Sequence, residues 1–255
     1  MRKSKSIADK LIPPACILLI LAVWEGGVRW LAIPEWILPG PVRIARTFAG
    51  TLPLMLKHGQ TTMAECLVGF VAAIILAFMI ALVMDEITPV KKAVYPIMVA
   101  SQTVPIISVA PLFIIWFGYG VLPKIIVVIL VCFFPIASSL LGGLAGVDRE
   151  YLELFRSMGA GRLQTLRMVK LPLALPAFFS GLKISASYSV MGAVIGEWLG
   201  AKEGLGTYMT LSQHSFQVDR VFAAIVAITL LSFALVAAVG WAERMVIPWS
   251  RLRDE

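Results

Sequence analysis

The chain alternates long apolar runs with short polar segments. Runs of this kind suit helices that cross a bilayer, because about 20 apolar residues in a helix span its hydrocarbon core. The pattern predicts six spans, at about residues 11–30, 61–84, 93–117, 124–145, 173–195 and 220–241. We therefore expect an all-α, polytopic membrane protein whose residues 1–255 form a single transmembrane domain.

Prolines modify the pattern at two places. The first is residues 33–60, where a loop is predicted from Pro34, Pro39, Gly40, Pro41 and Pro53. Within that loop, residues 47–56 are expected to lie along the membrane interface.

The second place is the third span, which contains Pro96, Pro105 and Pro111 and is expected to be broken twice. Carbonyls freed by a break in lipid must be satisfied by protein or by a watery cavity. Pro105 and Pro111 are therefore candidate residues of a translocation pathway. A kinked helix that only packs against its neighbours is the alternative interpretation.

Residues 149–172 form the most polar interruption in the second half of the chain. Leu152, Phe155, Leu163, Leu166 and Val169 recur at helical spacing, and five basic residues accompany them: Arg149, Arg156, Arg162, Arg167 and Lys170. Gly159 and Gly161 divide the stripe into two short helices, and Pro172 is expected to end the second. A helix–turn–helix with an apolar and a basic face, held between two spans, suits docking against a partner protein.

Composition supports a membrane protein. Hydrophobic residues make up 59% of the chain and charged residues 15%, and the mean hydropathy is +0.89. The net charge of +7 does not indicate a nucleic-acid partner, because the basic residues are scattered over short loops. Cys16, Cys66 and Cys132 lie in apolar runs without metal or disulfide spacing, so we expect them in the core or facing lipid.

The distribution of basic residues predicts the orientation. Most of the 22 Lys and Arg residues lie in the N-terminal ten residues, at positions 91 and 92, around residues 149–172 and in the C-terminal tail. Basic loops stay on the cytoplasmic side of a membrane. Both termini and the central loop are therefore expected to be cytoplasmic.

A few ionisable residues lie in or near the spans. Lys183 is a pathway candidate, although a lysine that reaches the inner interface is the favoured interpretation. Glu197 is expected either at the mouth of a pathway or in a pair with Lys202. Glu65 is predicted to be an interface residue, and His58 and His214 are predicted to be solvated, without partners at metal spacing.

The spacing within the central loop resembles a known motif. Glu153, Gly159, a nine-residue gap, Val169, Leu171 and Pro172 resemble the cytoplasmic "EAA" loop of the permeases of binding-protein-dependent ABC importers. Leu154 and Phe155 stand where the family has two alanines. Residues 105–120, 196–206 and 38–41 are similar to segments of the branch that transports sulfonates, nitrate and taurine.

The resemblance implies a transmembrane subunit that pairs with a second copy, a homodimer being expected, in a bacterial inner membrane. It implies two copies of a cytoplasmic ATPase subunit, which bind ATP-Mg and receive the loop, and a periplasmic or lipid-anchored solute-binding protein. The coupling residues would be Glu153, Gly159, Gly161, Val169, Leu171 and Pro172. The solute would be a small polar or anionic molecule: a sulfonate, nitrate, taurine or a pyrimidine-type precursor.

Two features of the sequence agree with a transmembrane subunit that works with a separate ATPase. The chain has no G-x-x-x-x-G-K-[ST] run, so it is expected to hold no cofactor and to leave ATP hydrolysis to a partner. The serines of the spans have no histidine or acid beside them, so no catalytic residue is predicted. An ion-coupled secondary transporter or channel is the alternative, but its spans would need an ion-coupling cluster and it would not need a docking loop.

Overall fold

The computed structural model describes residues 7–249, with side chains from residue 11 onward. All regular structure in this part of the chain is helical, as predicted. The helices are α1 (Ile7–Trp30), α2 (Pro41–Glu86), α3 (Thr88–Ser101), α4 (Ile106–Phe117), α5 (Val121–Ala145), α6 (Arg149–Ser157), α7 (Arg162–Thr165), a π-helical turn (Leu166–Lys170), α8 (Leu171–Trp198), α9 (Leu205–His214) and α10 (Val218–Val246). The side chains of the basic residues at positions 2, 3, 5, 10, 251 and 253 lie outside the described part.

Five helical segments are long and apolar enough to cross a membrane: α1 from residue 11, α2, α5, the continuous segment from α7 through α8, and α10. The pair α3 and α4 passes the same test together, although the two helices are bent by 101° at the break between them. Counting this pair as one broken span gives the six predicted spans.

Helices α2, α5 and α8 form the centre of the bundle. Each buries a stripe at a spacing of three or four residues, such as Cys66, Phe70, Ala73 and Ala77 on α2. Polar groups also join α5 to α8. The Ser185 hydroxyl donates a hydrogen bond of 3.0 Å to the Cys132 carbonyl, and the Cys132 thiol lies 3.3 Å from the Ser185 carbonyl. Cys66 and Cys132 are buried and Cys16 is exposed, which confirms the expectation for the cysteines.

Glycines let α5 and α8 approach closely. A Cβ atom at Gly181 would lie 2.7 Å from the carbonyl oxygen of Pro135, and one at Gly143 would lie 2.9 Å from the Cβ of Ala177. Small residues at such crossings allow backbone contact in lipid. The two glycines therefore explain why the interface between α5 and α8 is closely packed.

The predicted loop over residues 33–60 is wrong for most of its length. Helix α2 begins at Pro41 and continues without interruption to Glu86. Pro41 is the first residue of the helix. The N–H of a residue at this position has no intrahelical acceptor, so its absence in proline costs no hydrogen bond. Pro53 lies inside the helix, where it removes only the hydrogen bond to Ala49. Residues 47–56 do not form an interfacial segment of their own, because Met55 packs among Leu205, Tyr208 and the first turns of α10.

The third span is broken once rather than twice. The backbone leaves the helix after Ser101 and resumes at Ile106, with Pro105 at the N-cap of α4. Pro96 and Pro111 lie inside α3 and α4 without ending them. Each therefore costs one backbone hydrogen bond without disrupting its helix.

Helix α1 lies at the edge of the bundle, and none of its apolar window is buried. Glu25 and Arg29, one helical turn apart, form an ion pair at 2.6 Å. The Glu25 carboxylate also accepts a hydrogen bond of 3.0 Å from the Val42 N–H, which ties the end of α1 to the start of α2. The Trp24 and Phe222 rings, 5.6 Å apart, add a contact to α10.

Residues 196–219, between the fifth and sixth predicted spans, contain helix α9, which was not predicted from the sequence. It is short and weakly periodic, and it packs against α2, α8 and α10. We call this side of the bundle the α9 end, and the side that carries residues 149–172 the loop end.

Candidate functional site

The loop at residues 149–172 begins with α6, which ends in a complete Schellman motif. The Gly159 N–H donates to the Arg156 carbonyl at 2.9 Å, and the Ala160 N–H donates to the Phe155 carbonyl at 3.0 Å. This arrangement requires a left-handed residue at the position of Gly159, whose φ is +81°. The predicted division of the loop at Gly159 is therefore confirmed, and its cause is the C-cap of α6.

The second helix of the loop starts at Gly161. The Gln164 side chain accepts a hydrogen bond of 2.8 Å from the Gly161 N–H, which is one half of a capping box. Gly161 has a φ of −71°, so its backbone does not demand glycine.

Pro172 does not end this helix, contrary to the prediction. The chain passes from α7 through the π-helical turn into α8, and Pro172 lies in the first turn of α8. In the π-helical turn, the Leu171 N–H already donates a hydrogen bond to the Leu166 carbonyl, five residues back. A proline directly after such a turn removes little further hydrogen bonding. The loop and the fifth span are consequently one helical unit from Arg162 to Trp198.

The predicted coupling residues divide into two groups. Val169 is buried and Leu171 packs against the core, with Pro172 half-buried beside it. Glu153, Gly159 and Gly161 are exposed. The first group attaches the loop to the bundle, and only the second is accessible to another protein.

An ion pair also fixes the loop to the bundle. The Lys170 ammonium lies 2.6 Å from the carboxylate of Asp85 at the end of α2, and the Asp85 side chain is only 9% exposed. The sequence gives no sign of this pair, because its partners are 85 residues apart.

The accessible face of the loop is apolar at its centre. Tyr151, Leu154, Met158 and Leu163 have exposed fractions of 53%, 56%, 74% and 58%. Leu154, one of the two residues that replace the alanines of the family motif, lies on this face. We call these four residues the loop patch.

Lys183, a candidate for the pathway or for the inner interface, forms an ion pair that the sequence does not predict. Its ammonium lies 2.5 Å from the carboxylate of Glu243 on α10, with the lysine side chain 39% exposed. The pair joins α8 to α10 near the loop end of the bundle.

Glu197 is buried, with an exposed fraction of 1%, and it does not pair with Lys202. The Thr62 hydroxyl donates to one of its oxygens at 2.7 Å, and the Gly206 N–H donates to the other at 2.6 Å. Thr62 in turn accepts a hydrogen bond of 2.9 Å from the Leu205 N–H. Glu197 thus fixes the start of α9 to α2 instead of facing an open mouth.

Glu65 is a buried residue rather than the predicted interface residue. Its carboxylate forms an ion pair with Lys124, whose side chain is 10% exposed. A charge at this depth needs a partner, and α2 and α5 supply one each.

The prediction for His58 is also wrong. Its Nδ1 atom accepts a hydrogen bond of 3.1 Å from the Gly204 N–H, and its ring lies 5.6 Å from that of Tyr208. Beside it, Lys57 lies 3.0 Å from Glu203. The hydrogen bond and charge of Lys57 hold the pKa of Glu203 below its ordinary value. His214 is exposed, as predicted.

A cavity of about 390 Å³ lies beside the break between α3 and α4. Pro105, one of the predicted pathway residues, lines it, whereas Pro111 does not. Its lining comes from the break, α4, α5 and α8: Ser101, Gln102, Val104, Pro105, Ile106, Val109, Leu130, Val131, Tyr188 and Met191. Among the described residues, no charged side chain lines this cavity.

A profile described as "Binding-protein-dependent transport system inner membrane component" matches residues 69–249. The match begins within the second span and includes the loop, the residues that line the cavity and every later span. The chain belongs to this family. It is a multi-pass inner-membrane permease of the ABC importers, and membership identifies a transport subunit rather than an enzyme.

Curated relatives place the permease in the branch that the sequence indicates. The formylaminopyrimidine transport permease protein ThiX of Halalkalibacterium halodurans is 38% identical over 242 residues, which cover 94% of this chain and 96% of the relative. The riboflavin transport system permease protein RibX of Chloroflexus aurantiacus is 33% identical, over 92% and 89% of the two chains. The taurine transport system permease protein TauC of Escherichia coli is 29% identical, over 91% and 86%.

Solved structures share the fold of the permease. A chain of the MetNI methionine ABC transporter, in an inward-facing conformation, superposes with a TM-score of 0.64 at 19% identity, over 77% of this chain and 98% of that one. A chain of an amino acid ABC transporter gives 0.61 at 17% identity, over 78% and 95%. This likeness supports the all-helical fold of the permease.

Proposed function

We propose that this permease imports a small solute by coupling to a cytoplasmic ATPase through residues 149–172. A second copy of the chain completes the pathway, and a solute-binding protein delivers the solute at the α9 end. ATP-Mg is bound by the ATPase, not by this chain. The names of the relatives support a pyrimidine-type solute most strongly, ahead of riboflavin and taurine, because identity falls from 38% to 33% and 29% in that order.

The observation that carries the proposal is an exposed apolar patch on a rigidly held loop. The loop patch has no partner within the described residues, and a cluster of large apolar side chains at the water-exposed end of a bundle marks an interaction site. A short amphipathic helix such as α6 suits insertion into an apolar groove. The exposed arginines around it would complement acidic residues on a partner: Arg149, Arg156, Arg162 and Arg167.

The second helix of the loop offers a direct mechanical connection to the pathway. Helix α7, the π-helical turn and α8 are continuous, and α8 packs closely on α5 at the centre of the bundle. Displacement of the loop by the ATPase therefore moves α8 as a rigid body instead of being absorbed by a flexible link. The Lys170–Asp85 pair passes the same displacement to α2.

The proposal places the loop end in the cytoplasm. Basic residues on this side include the arginines of the loop, Lys91, Lys92 and Arg244, in agreement with the rule that basic loops remain inside. Both termini then lie on the cytoplasmic side, and the α9 end faces the binding protein.

Affinity purification from native membranes in mild detergent tests the proposal. The tagged chain should recover a P-loop ATPase. Glu153→Arg and Leu154→Asp should reduce that recovery at least tenfold, because a reversed charge or a buried aspartate disrupts a docked helix. Glu35→Arg, an equally exposed charge reversal at the α9 end, is the matched control and should recover the ATPase normally.

Two results would contradict the proposal. One is recovery of the ATPase at the normal level with both loop variants. The other is purification of the chain alone together with solute uptake that needs no ATP, which would make it a secondary transporter.

A further inference from the structure

The cavity beside the break in the third span carries an inference about the solute, and it rests on the proposed import function. We propose that this cavity is a solute site in the permease and that it accepts an uncharged, single-ring heterocycle. Alkanesulfonates and nitrate are anions, and taurine is a zwitterion with a fully charged sulfonate, so the inference separates the uncharged pyrimidine-type solutes from the charged solutes of the same branch.

The lining of the cavity combines apolar surface with uncharged polar groups. Pro105, Val131 and Met191 provide apolar surface of the kind on which a flat ring packs. Gln102 and Tyr188 supply an amide and a phenol, each of which both donates and accepts hydrogen bonds. Ring nitrogens and exocyclic amino groups of a heterocycle need this mixture of donors and acceptors.

The backbone at the break contributes another acceptor. Pro105 has no N–H, so the carbonyl of Ser101 loses the donor that a continuous helix would provide. The Ser101 hydroxyl is occupied as a donor, because it bonds the Met98 carbonyl at 2.7 Å. The break thus presents polar groups to the cavity without presenting a charge.

Cations that an anionic solute would require are already neutralised. Lys124 is paired with Glu65 and Lys183 with Glu243, and Lys170 at the start of α8 is paired with Asp85. An unpaired anion in a membrane interior costs several kcal/mol in lost solvation. A sulfonate in this cavity would have only the dipoles of Gln102 and Tyr188 to replace its water, because the proton of the Ser101 hydroxyl is already donated to Met98.

The size of the cavity favours a small ring. Its volume of about 390 Å³ lies at the low end of the roughly 300–1,000 Å³ found for ligand sites. A monocyclic pyrimidine fits such a volume more readily than riboflavin, which has three fused rings and a sugar-alcohol chain.

The test uses the complete transporter, purified as this chain with its ATPase and its cognate binding protein and reconstituted in proteoliposomes. The probes are a formylaminopyrimidine, taurine, an alkanesulfonate and riboflavin. We expect ATP-dependent uptake of the formylaminopyrimidine only. Tyr188→Phe and Gln102→Leu should each lower that uptake about three- to tenfold, as the loss of one hydrogen bond predicts, while ATP hydrolysis stimulated by the binding protein persists.

A matched substitution serves as a control. Tyr95→Phe on α3 removes the same phenol hydroxyl from an exposed position outside the cavity and should leave uptake unchanged. A thiol readout that does not depend on turnover complements it. In a Cys16→Ser background, the formylaminopyrimidine should slow maleimide labelling of Met191→Cys, and taurine should not.

Uptake of taurine or the alkanesulfonate, or protection of Met191→Cys by either charged probe, would overturn the inference and leave the import function intact. Failure of every uncharged probe to protect the thiol would overturn it as well, because the cavity would then not be the solute site. A chain that recovers no ATPase and hydrolyses no ATP would contradict the import function itself.

Discussion

The hydroxyl of Thr62 lies 2.7 Å from a carboxylate oxygen of Glu197, and both side chains are buried at the α9 end of the bundle. The same hydroxyl accepts the Leu205 N–H, and Glu197 accepts the Gly206 N–H. Two side chains on α2 and α8 therefore satisfy the first backbone donors of α9. The short helix α9 is positioned by polar contacts at its N-terminus as well as by its apolar face.

Thr62→Val should lower the free energy of unfolding by about 1–3 kcal/mol, because it leaves the Leu205 N–H and a Glu197 oxygen buried without partners. Thermal unfolding of the detergent-solubilised chain, followed by size exclusion, measures the loss. Thr229→Val is the control, since that exposed hydroxyl only bonds the Ile225 carbonyl of its own helix. Equal melting temperatures for the two variants would refute the structural role of Thr62.

Glu65→Ala should destabilise the bundle by about 3–5 kcal/mol, because it leaves the Lys124 ammonium buried and unpaired. The double variant Glu65→Leu, Lys124→Met removes both charges and should recover most of the stability. Yield from membranes and melting temperature report both effects. A double variant no better than Glu65→Ala would show that packing, rather than charge, holds α2 against α5 at this point.

Gly181→Ala should lower stability by about 1–3 kcal/mol, because the added methyl meets the Pro135 carbonyl and the Ser139 side chain at 2.7 Å. Gly142→Ala is a matched control on the facing helix, where nothing lies within 4 Å of the new atom. There the change should be neutral or slightly stabilising, since alanine favours helix. The free energies of unfolding of the two variants are measured in parallel. An equal loss in both would show that these helices do not tolerate alanine in general, rather than that Gly181 is closely packed.

Gly159→Val should uncouple ATP hydrolysis from transport, because a β-branched residue is strained at a φ of +81° and the C-cap of α6 is lost. Gly159→Asn should retain coupling, since asparagine tolerates the left-handed conformation. The measurement is the number of ATP molecules hydrolysed per solute imported in proteoliposomes. Identical ratios for the valine variant and the unmodified chain would exclude a role for the C-cap in coupling.

The features that depend on local sequence could be predicted. Helix identity, the approximate number of spans and the turn at Gly159 were predictable, because they depend on local hydropathy and on the conformation that a glycine allows. The family itself was recognisable from Glu153, Gly159 and Pro172, whose spacing along one loop is visible in the chain.

Errors arose where prolines were interpreted locally. Pro41, Pro53, Pro111 and Pro172 were all expected to interrupt helices, and none does. A proline costs a helix only the hydrogen bond of its missing N–H and some local strain, and packing of an apolar face outweighs that cost. Within the third span, Pro105 coincides with the one break, and its neighbours in sequence do not distinguish it from Pro111.

The sequence by itself determined that the chain crosses the membrane as helices, that it carries a partner-binding loop and that it belongs to a transport family. Only the tertiary structure decided which charged and polar side chains meet. Glu65 with Lys124, Lys170 with Asp85, Lys183 with Glu243 and Glu197 with Thr62 all join residues at least 59 positions apart. Such pairs are set by which helices are neighbours, and helix neighbours follow from side-chain packing and close glycine contacts between spans, which one-dimensional periodicity does not encode.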